Sequence, residues 1–236
     1  MQYWFVTGSS RGLGKAITEQ LLSVEGNVVY GYARTKHTAE SKNFHSVITD
    51  LSDIQELSTF EFPHLENPEL IVLINNAATL GDMHYLGNLD TATIISGHIL
   101  NTIAPHVLIN KFIKQYKSLA APKVIGNITS GAANTPYDGW SIYGSDKAAL
   151  DMITRIANSE AELQNQNIKI FGIAPGVMAT DMQKQIRNAD PDNFSRKKKF
   201  DDLHAENKLI SPESAASRII EYVKNYDTVT DTIFRL

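Results

Sequence analysis

The sequence predicts a single α/β domain over residues 1–236, a doubly wound parallel sheet of seven strands with helices on both faces. Three observations carry that expectation. Short apolar runs alternate with longer amphipathic stretches along the chain, as a parallel sheet with crossover helices reads. A glycine-rich turn follows the first apolar run and leads straight into a helical stretch. The composition, 42% apolar and 20% charged over 236 residues, suits a globular chain with a sizeable core.

The elements follow in order. Tyr3-Trp4-Phe5-Val6 is the first strand, and the helix after the glycine turn is expected near 13–24. Further strands are expected at 27–32, 46–48, 70–74, 124–128, 168–173 and 230–234, each a short apolar run. Helices are expected near 54–60, 91–116, 143–164 and 212–224; in the third of these Leu150, Ile153, Ala157, Ala161 and Leu163 recur at close to one turn. The stretch 182–209 is polar and highly charged. A loop of that length in a compact domain is either functional or disordered; it reads as a flexible lid over a substrate.

Composition also excludes. There is no cysteine, so disulfides, thiol nucleophiles and thiolate metal sites are ruled out, and a reducing cytoplasm is the expected compartment. The net charge of -4 gives no footprint for nucleic acid or an anionic membrane. No apolar run is expected to span a bilayer, and the first residues carry no basic-then-apolar leader. The seven histidines show no metal-ligand spacing, so no metal is expected.

Thr7-Gly8-Ser9-Ser10-Arg11-Gly12-Leu13-Gly14 is where a dinucleotide pyrophosphate belongs in a Rossmann-type fold. A helix N-terminus offers unpaired N–H groups, and glycine lets the backbone approach a phosphate. The tip of the second strand, Gly31-Tyr32-Ala33-Arg34, lacks the acid that bonds a ribose 2′-hydroxyl. Arg34, together with Arg11, instead suits a 2′-phosphate and so NADP, although Arg34 alone is equally readable as a surface residue. Asp50 is placed either to accept from the adenine amino group or to cap the helix after Leu51.

Tyr143 and Lys147, four apart on one helix face, form the candidate catalytic pair. An ammonium beside a phenol favours the phenolate and brings the tyrosine towards a working pKa. The pair can then protonate an alkoxide forming from a carbonyl as NADPH delivers hydride. Ser130, at the carboxyl end of the strand 124–128, can donate to the substrate oxygen. Asn101 lies four residues before Pro105, which has no N–H to bond the Asn101 carbonyl. That carbonyl either holds a relay water leading towards Lys147, or the proline only bends the helix.

Together these residues resemble the short-chain dehydrogenase/reductase family over nearly the whole chain. The motifs are Thr7-Gly8-x-x-x-Gly12-x-Gly14, Asn75-Asn76-Ala77-Ala78 and Pro175-Gly176, with the tetrad Asn101, Ser130, Tyr143 and Lys147. The resemblance implies cofactor contacts at Ser10, Leu13, Leu51, Asn76, Ala77, Val177 and Thr180 in addition to the glycine turn. It also implies a homodimer through the long helices. Ala78 departs from the family's glycine, and 227–236 lacks a glycine pair that many members carry. The chain looks most like the sepiapterin reductase and benzil reductase branch.

The substrate wall is expected from Ala132, Tyr137, Trp140, Met178 and Met182, an apolar and aromatic set suited to an aryl ketone or vicinal diketone. The run Arg196-Lys197-Lys198-Lys199 reads as a solvated face of the lid. The expected activity is NADPH-dependent carbonyl reduction. The alternatives are an NAD(P)-linked alcohol dehydrogenase working towards oxidation and a non-catalytic NADP sensor; the presence of both Tyr143 and Lys147 speaks against the sensor.

Overall fold

A computed structural model describes residues 1–236. Its seven strands are β1 (Gln2–Thr7), β2 (Asn27–Ala33), β3 (Phe44–Ile48), β4 (Leu70–Asn75), β5 (Lys123–Ile128), β6 (Ile168–Ala174) and β7 (Ile233–Arg235). They form one parallel sheet in the order β3-β2-β1-β4-β5-β6-β7. The order reverses between β1 and β4, so a crevice opens at the carboxyl ends of those strands.

The strand residues sort by parity, because successive side chains leave opposite faces of a strand. Tyr3 and Phe5, Ile71 and Leu73, Ile125 and Ile170 join one core cluster. Trp4 and Val6, Val72 and Ile74, Val124 and Ile173 join the other. The first cluster is closed by Leu108, Ile109, Phe112 and Tyr116 of α4 (Ala104–Tyr116). The second is closed by α1 (Gly12–Leu22) and α8 (Pro212–Lys224) through Ile17, Leu21, Ala216, Ile219 and Val223. The Phe5 ring stacks on Tyr116 at 5.9 Å and meets Phe62 edge-on at 5.0 Å. Such pairs add about 0.5–1.5 kcal/mol each beyond burial. The remaining helices are α2 (Ile54–Thr59), α3 (Thr91–His98), α5 (Ser141–Leu163), α6 (Asp181–Arg187) and α7 (Lys197–Ala205).

The structure departs from the sequence expectation in three places. The stretch 182–209 is not an irregular loop, for it holds most of α6 and all of α7. Its charge density conceals three apolar anchors, Ile186, Phe194 and Phe200, all buried in a third cluster. The charges themselves support α7, with Lys197–Asp201 at 2.7 Å and Lys198–Asp202 at 2.8 Å one turn apart. Second, the helix expected over 91–116 changes pitch at a π-helical turn, Ile99–Ile103. Third, the run Thr91–Tyr116 is long and apolar enough to cross a membrane by length and composition, contrary to expectation. Its apolar face packs on the sheet, where Leu108 and Phe112 are buried.

Candidate active site

The glycine turn leaves β1 with Gly8 at φ +67° and Gly12 at φ +52°, both in the left-handed region. A Cβ on Gly14 would lie 2.2 Å from the Gly8 carbonyl oxygen, so this approach admits only glycine. Helix α1 starts from Arg11 with no side-chain cap, which leaves its first N–H groups for an anion. An uncapped helix start behind a close-packed glycine turn fits a pyrophosphate. Ser10 and Leu13 lie in this turn, with Leu13 buried against the core.

The turn is braced from β4. Thr7 Oγ1 accepts from the Asn76 and Ala77 N–H groups at 2.9 and 3.0 Å, and Asn76 Nδ2 donates to the Thr7 carbonyl at 2.9 Å. The amide of Asn76 is thus engaged with the turn itself. The strand β6 leads into Pro175, Gly176 (φ +85°) and Val177, and a Cβ on Gly12 would lie 3.5 Å from the Thr180 methyl. The β6 loop therefore lies over the glycine turn, as the motifs require.

At the far end of the crevice the expected pieces are only partly brought together. Arg34 is exposed at the tip of β2, and its charge acts on Asp50. Arg11 instead points towards Asp181, 3.8 Å away. Asp50 is not the helix cap: its Oδ1 accepts from the Ser52 N–H at 2.9 Å, while Asp53 caps α2. Burial pushes the Asp50 carboxyl up, but the Ser52 hydrogen bonds outweigh it and hold it below the usual range. Leu51 is buried beside it.

Tyr143 and Lys147 occupy the first two turns of α5, both buried. The Lys147 Nζ donates to the Ile128 carbonyl at 2.7 Å and sits 5.6 Å from the Tyr143 ring centroid. Burial pulls the lysine down to about 8, against the charges of Asp146 and Asp151, which hold it up. For Tyr143 the direction is opposite to the one expected from the sequence. Burial pushes the phenol up, and a hydrogen bond with Ser130 pulls it partly back. Ser130 follows β5 and its Oγ accepts from the Ala132 N–H at 3.2 Å.

Asn101 lies inside the π-helical turn, where the Ala104 N–H bonds back to the Ile99 carbonyl. Pro105, the residue blamed for a bend, follows this turn. The Asn101 side chain is fixed: Oδ1 accepts from Thr79 N–H at 2.8 Å, and Nδ2 donates to Thr79 O at 2.9 Å and Asp146 Oδ2 at 3.0 Å. Asp146 Oδ1 also accepts from Thr102 Oγ1 at 2.6 Å and meets His98 Nδ1 at 2.6 Å. A small internal cavity touches both Asn101 and Lys147.

Of the expected substrate wall, Ala132 and Trp140 are buried in one cluster with the catalytic Tyr143 and with Phe194 and Phe200, and Tyr137 and Met182 pack against it. Met178 departs: it pairs with Ile210 and packs on the α1–α8 side. Trp140 stacks on Phe194 at 5.1 Å and meets Tyr143 edge-on at 5.6 Å. Asp138 ties the surrounding loops, accepting from Ser195 N–H at 2.7 Å, Ser195 Oγ at 2.8 Å and Tyr85 Oη at 3.0 Å. The basic run is exposed at Arg196, Lys198 and Lys199, and Arg196 and Lys199 also lie 5.4 and 5.5 Å from the Tyr137 ring centroid. Sequence reasoning missed Phe194, Asp138 and Asp146 and reads His98 as structural, whereas it meets Asp146; an apolar residue isolated among charges is the one signal that could have found Phe194.

Comparison with known proteins agrees with this geometry. The short chain dehydrogenase family profile matches residues 2–191. A benzil reductase ((S)-benzoin forming) of Bacillus cereus is 34% identical, over 100% of this chain and 99% of that protein. The sepiapterin reductase of Mus musculus is 29% identical, over 91% of this chain and 88% of that protein. A solved short chain dehydrogenase/reductase from Saccharomyces cerevisiae superposes with a TM-score of 0.81 at 23% identity, covering 100% of this chain and 96% of that one. With the glycine turn, the Tyr143–Lys147 pair and the reversed strand order in one crevice, the chain belongs to the short-chain dehydrogenase family.

Proposed function

We propose that this chain is an NADPH-dependent carbonyl reductase acting on aryl ketones or vicinal diketones. The observation that carries the reading is Tyr143, buried and protonated, set between Ser130, Lys147 and an aromatic wall. The glycine turn, Thr180 and the β6 loop hold the dinucleotide, whose nicotinamide supplies the hydride when bound. Ser130 orients the substrate oxygen and Tyr143 gives it a proton. Lys147 offsets the charge left on the phenolate, and Asn101 with the adjoining cavity holds the water that returns a proton. The likeness to the benzil reductase and the aromatic rings of Trp140 and Phe194 support an aryl substrate.

The absence of an acid at the tip of β2 supports NADPH over NADH. Arg34→Ala lowers kcat/KM for NADPH by about 10- to 100-fold, the worth of one charge-assisted hydrogen bond, and leaves NADH unchanged. Equal losses with both cofactors would count against the assignment of Arg34.

A pH profile follows from the catalytic pair. With Tyr143 pushed up, the Lys147 ammonium is the first of the two to titrate as pH rises, at about 8. Reductive turnover is steady on the acid side of that value and falls as pH rises through it. A kcat that stays flat well above it would place the limb elsewhere.

The exposed apolar residues Ile95 and Ile103 on the Thr91–Tyr116 run and Met152 and Ile156 on α5 support a homodimer through these two long helices. The segment 182–209 acts as a substrate lid through Phe194 and Asp138, and the cysteine-free chain suits the cytoplasm. The test of the whole reading is NADPH oxidation against aryl ketones, diketones and pteridines, with NADH as control. NADPH-dependent turnover of an aryl carbonyl is expected. Tight NADPH binding with no turnover across the panel would overturn it.

A further inference from the structure

We propose that Asp146 is a positioning residue that keeps the Asn101 and Lys147 ends of the proton path in register, with His98 as its solvent-side partner. The inference rests on the reductase reading for its effect on turnover, but its geometry does not. Asp146 precedes Lys147 on α5, and its carboxylate is buried with a relative exposure of 2%. A carboxylate is not left there without donors, because an unpaired buried charge is costly.

The donors are specific. Asn101 reaches Oδ2 from the π-helical turn, and Thr102 and His98 reach Oδ1 from the same turn and from α3. One carboxylate therefore fixes three residues of a single turn of the Thr91–Tyr116 helix to the catalytic helix. Thr79 fixes the other edge of the Asn101 amide, so that side chain has no freedom left. Rotation of Asn101 about the helix would move it away from the cavity that it lines together with Lys147.

Charge acts in the same direction. Lys147 is buried, and the groups that oppose its loss of charge are Asp146 and Asp151. The other titratable groups around it are Tyr143 on its own helix, Arg155 beside Asp151, and His98 behind Asp146. Asp151 faces Thr129 and Arg155 and ties nothing to Asn101. Asp146 alone joins the lysine's charge to the position of the asparagine.

The test measures Lys147 directly. Lysine Cε and Nζ chemical shifts, assigned with Lys147→Met, are titrated in the wild type, Asp146→Asn and Asp146→Ser, together with thermal melting and the pH profile of NADPH oxidation. Removal of the charge is expected to lower the Lys147 titration by about one pH unit. The alkaline limb of turnover moves down with it, and kcat falls about tenfold while the NADPH dissociation constant holds. A merely structural aspartate would lower the melting temperature and leave the Lys147 titration where it was, which overturns the proposal.

Where the Asp146 variants do not fold, His98→Ala and His98→Gln serve, since the His98 side chain is 43% exposed. Alanine is expected to cost about threefold in kcat, and glutamine, which still donates to Oδ1, to restore it. No difference between alanine and wild type overturns the proposal. A displaced Lys147 titration in a chain that reduces no carbonyl compound sinks the reductase reading and leaves the role of Asp146 standing.

Discussion

Tyr143→Phe lowers kcat for carbonyl reduction by about 100- to 10,000-fold, the range a positioned general acid supplies. The substitution removes one oxygen and keeps the ring that meets Trp140 edge-on at 5.6 Å. Packing in the cluster around Phe194 and Phe200 is therefore retained, and the melting temperature changes little. Nothing in the glycine turn is touched, so NADPH binds as in the wild type. Calorimetry of NADPH binding and turnover on the same preparation separate the two effects. A variant that keeps a tenth or more of the activity would move the proton donor away from Tyr143, and Ser130 would be the next group to examine.

Gly14→Ala has an effect of similar size on a different step. The new methyl would stand 2.2 Å from the Gly8 carbonyl oxygen and 2.6 Å from Asn76 Nδ2. Neither neighbour can yield, because Asn76 is hydrogen-bonded to Thr7 and Gly8 is part of the turn itself. Overpacking of this kind costs about 1–3 kcal/mol of stability. The displaced turn also misaligns the first N–H groups of α1, and the dissociation constant for NADPH rises by about 100- to 10,000-fold, the value of two lost charge-assisted hydrogen bonds. Gly26→Ala is the control. Gly26, unlike Gly14, has a positive φ, +87°, and nothing lies within 4 Å of its Cβ position. Its alanine variant takes on backbone strain alone, at a cost of about 1–2 kcal/mol of stability, and binds NADPH unchanged. Equal cofactor affinity in the two variants would show that the turn is not the pyrophosphate site.

Strands such as 70–74 were legible because a strand buried on both faces is apolar at every position. The glycine turn was legible because its geometry restricts residue type, and Tyr143 and Lys147 because helix spacing places them on one face. Helix α7 was obscured because its stability comes from ion pairs and from Phe200, one buried residue among many charges. The π-helical turn was invisible because its cause is a change in bonding register, which leaves no mark in residue type. Arg11 was assigned a phosphate from its place in the motif, whereas Asp181, near in space and far in sequence, sits beside it. The direction of the Tyr143 shift was missed for a related reason: a lysine four residues away is visible in sequence, and the depth of burial is not.

The π-helical turn at Ile99–Ile103 makes chain length a part of the site. Each residue of an α-helix advances the chain by about 100°. The wider turn takes in one more residue over nearly the same rotation, so loss of a single residue here would restore regular pitch and leave both halves of the long helix facing as before. What would be lost is the displaced turn that carries Asn101 and Thr102 to Asp146. An aligned sequence with a gap here would describe a helix with the same faces and a differently placed Asn101.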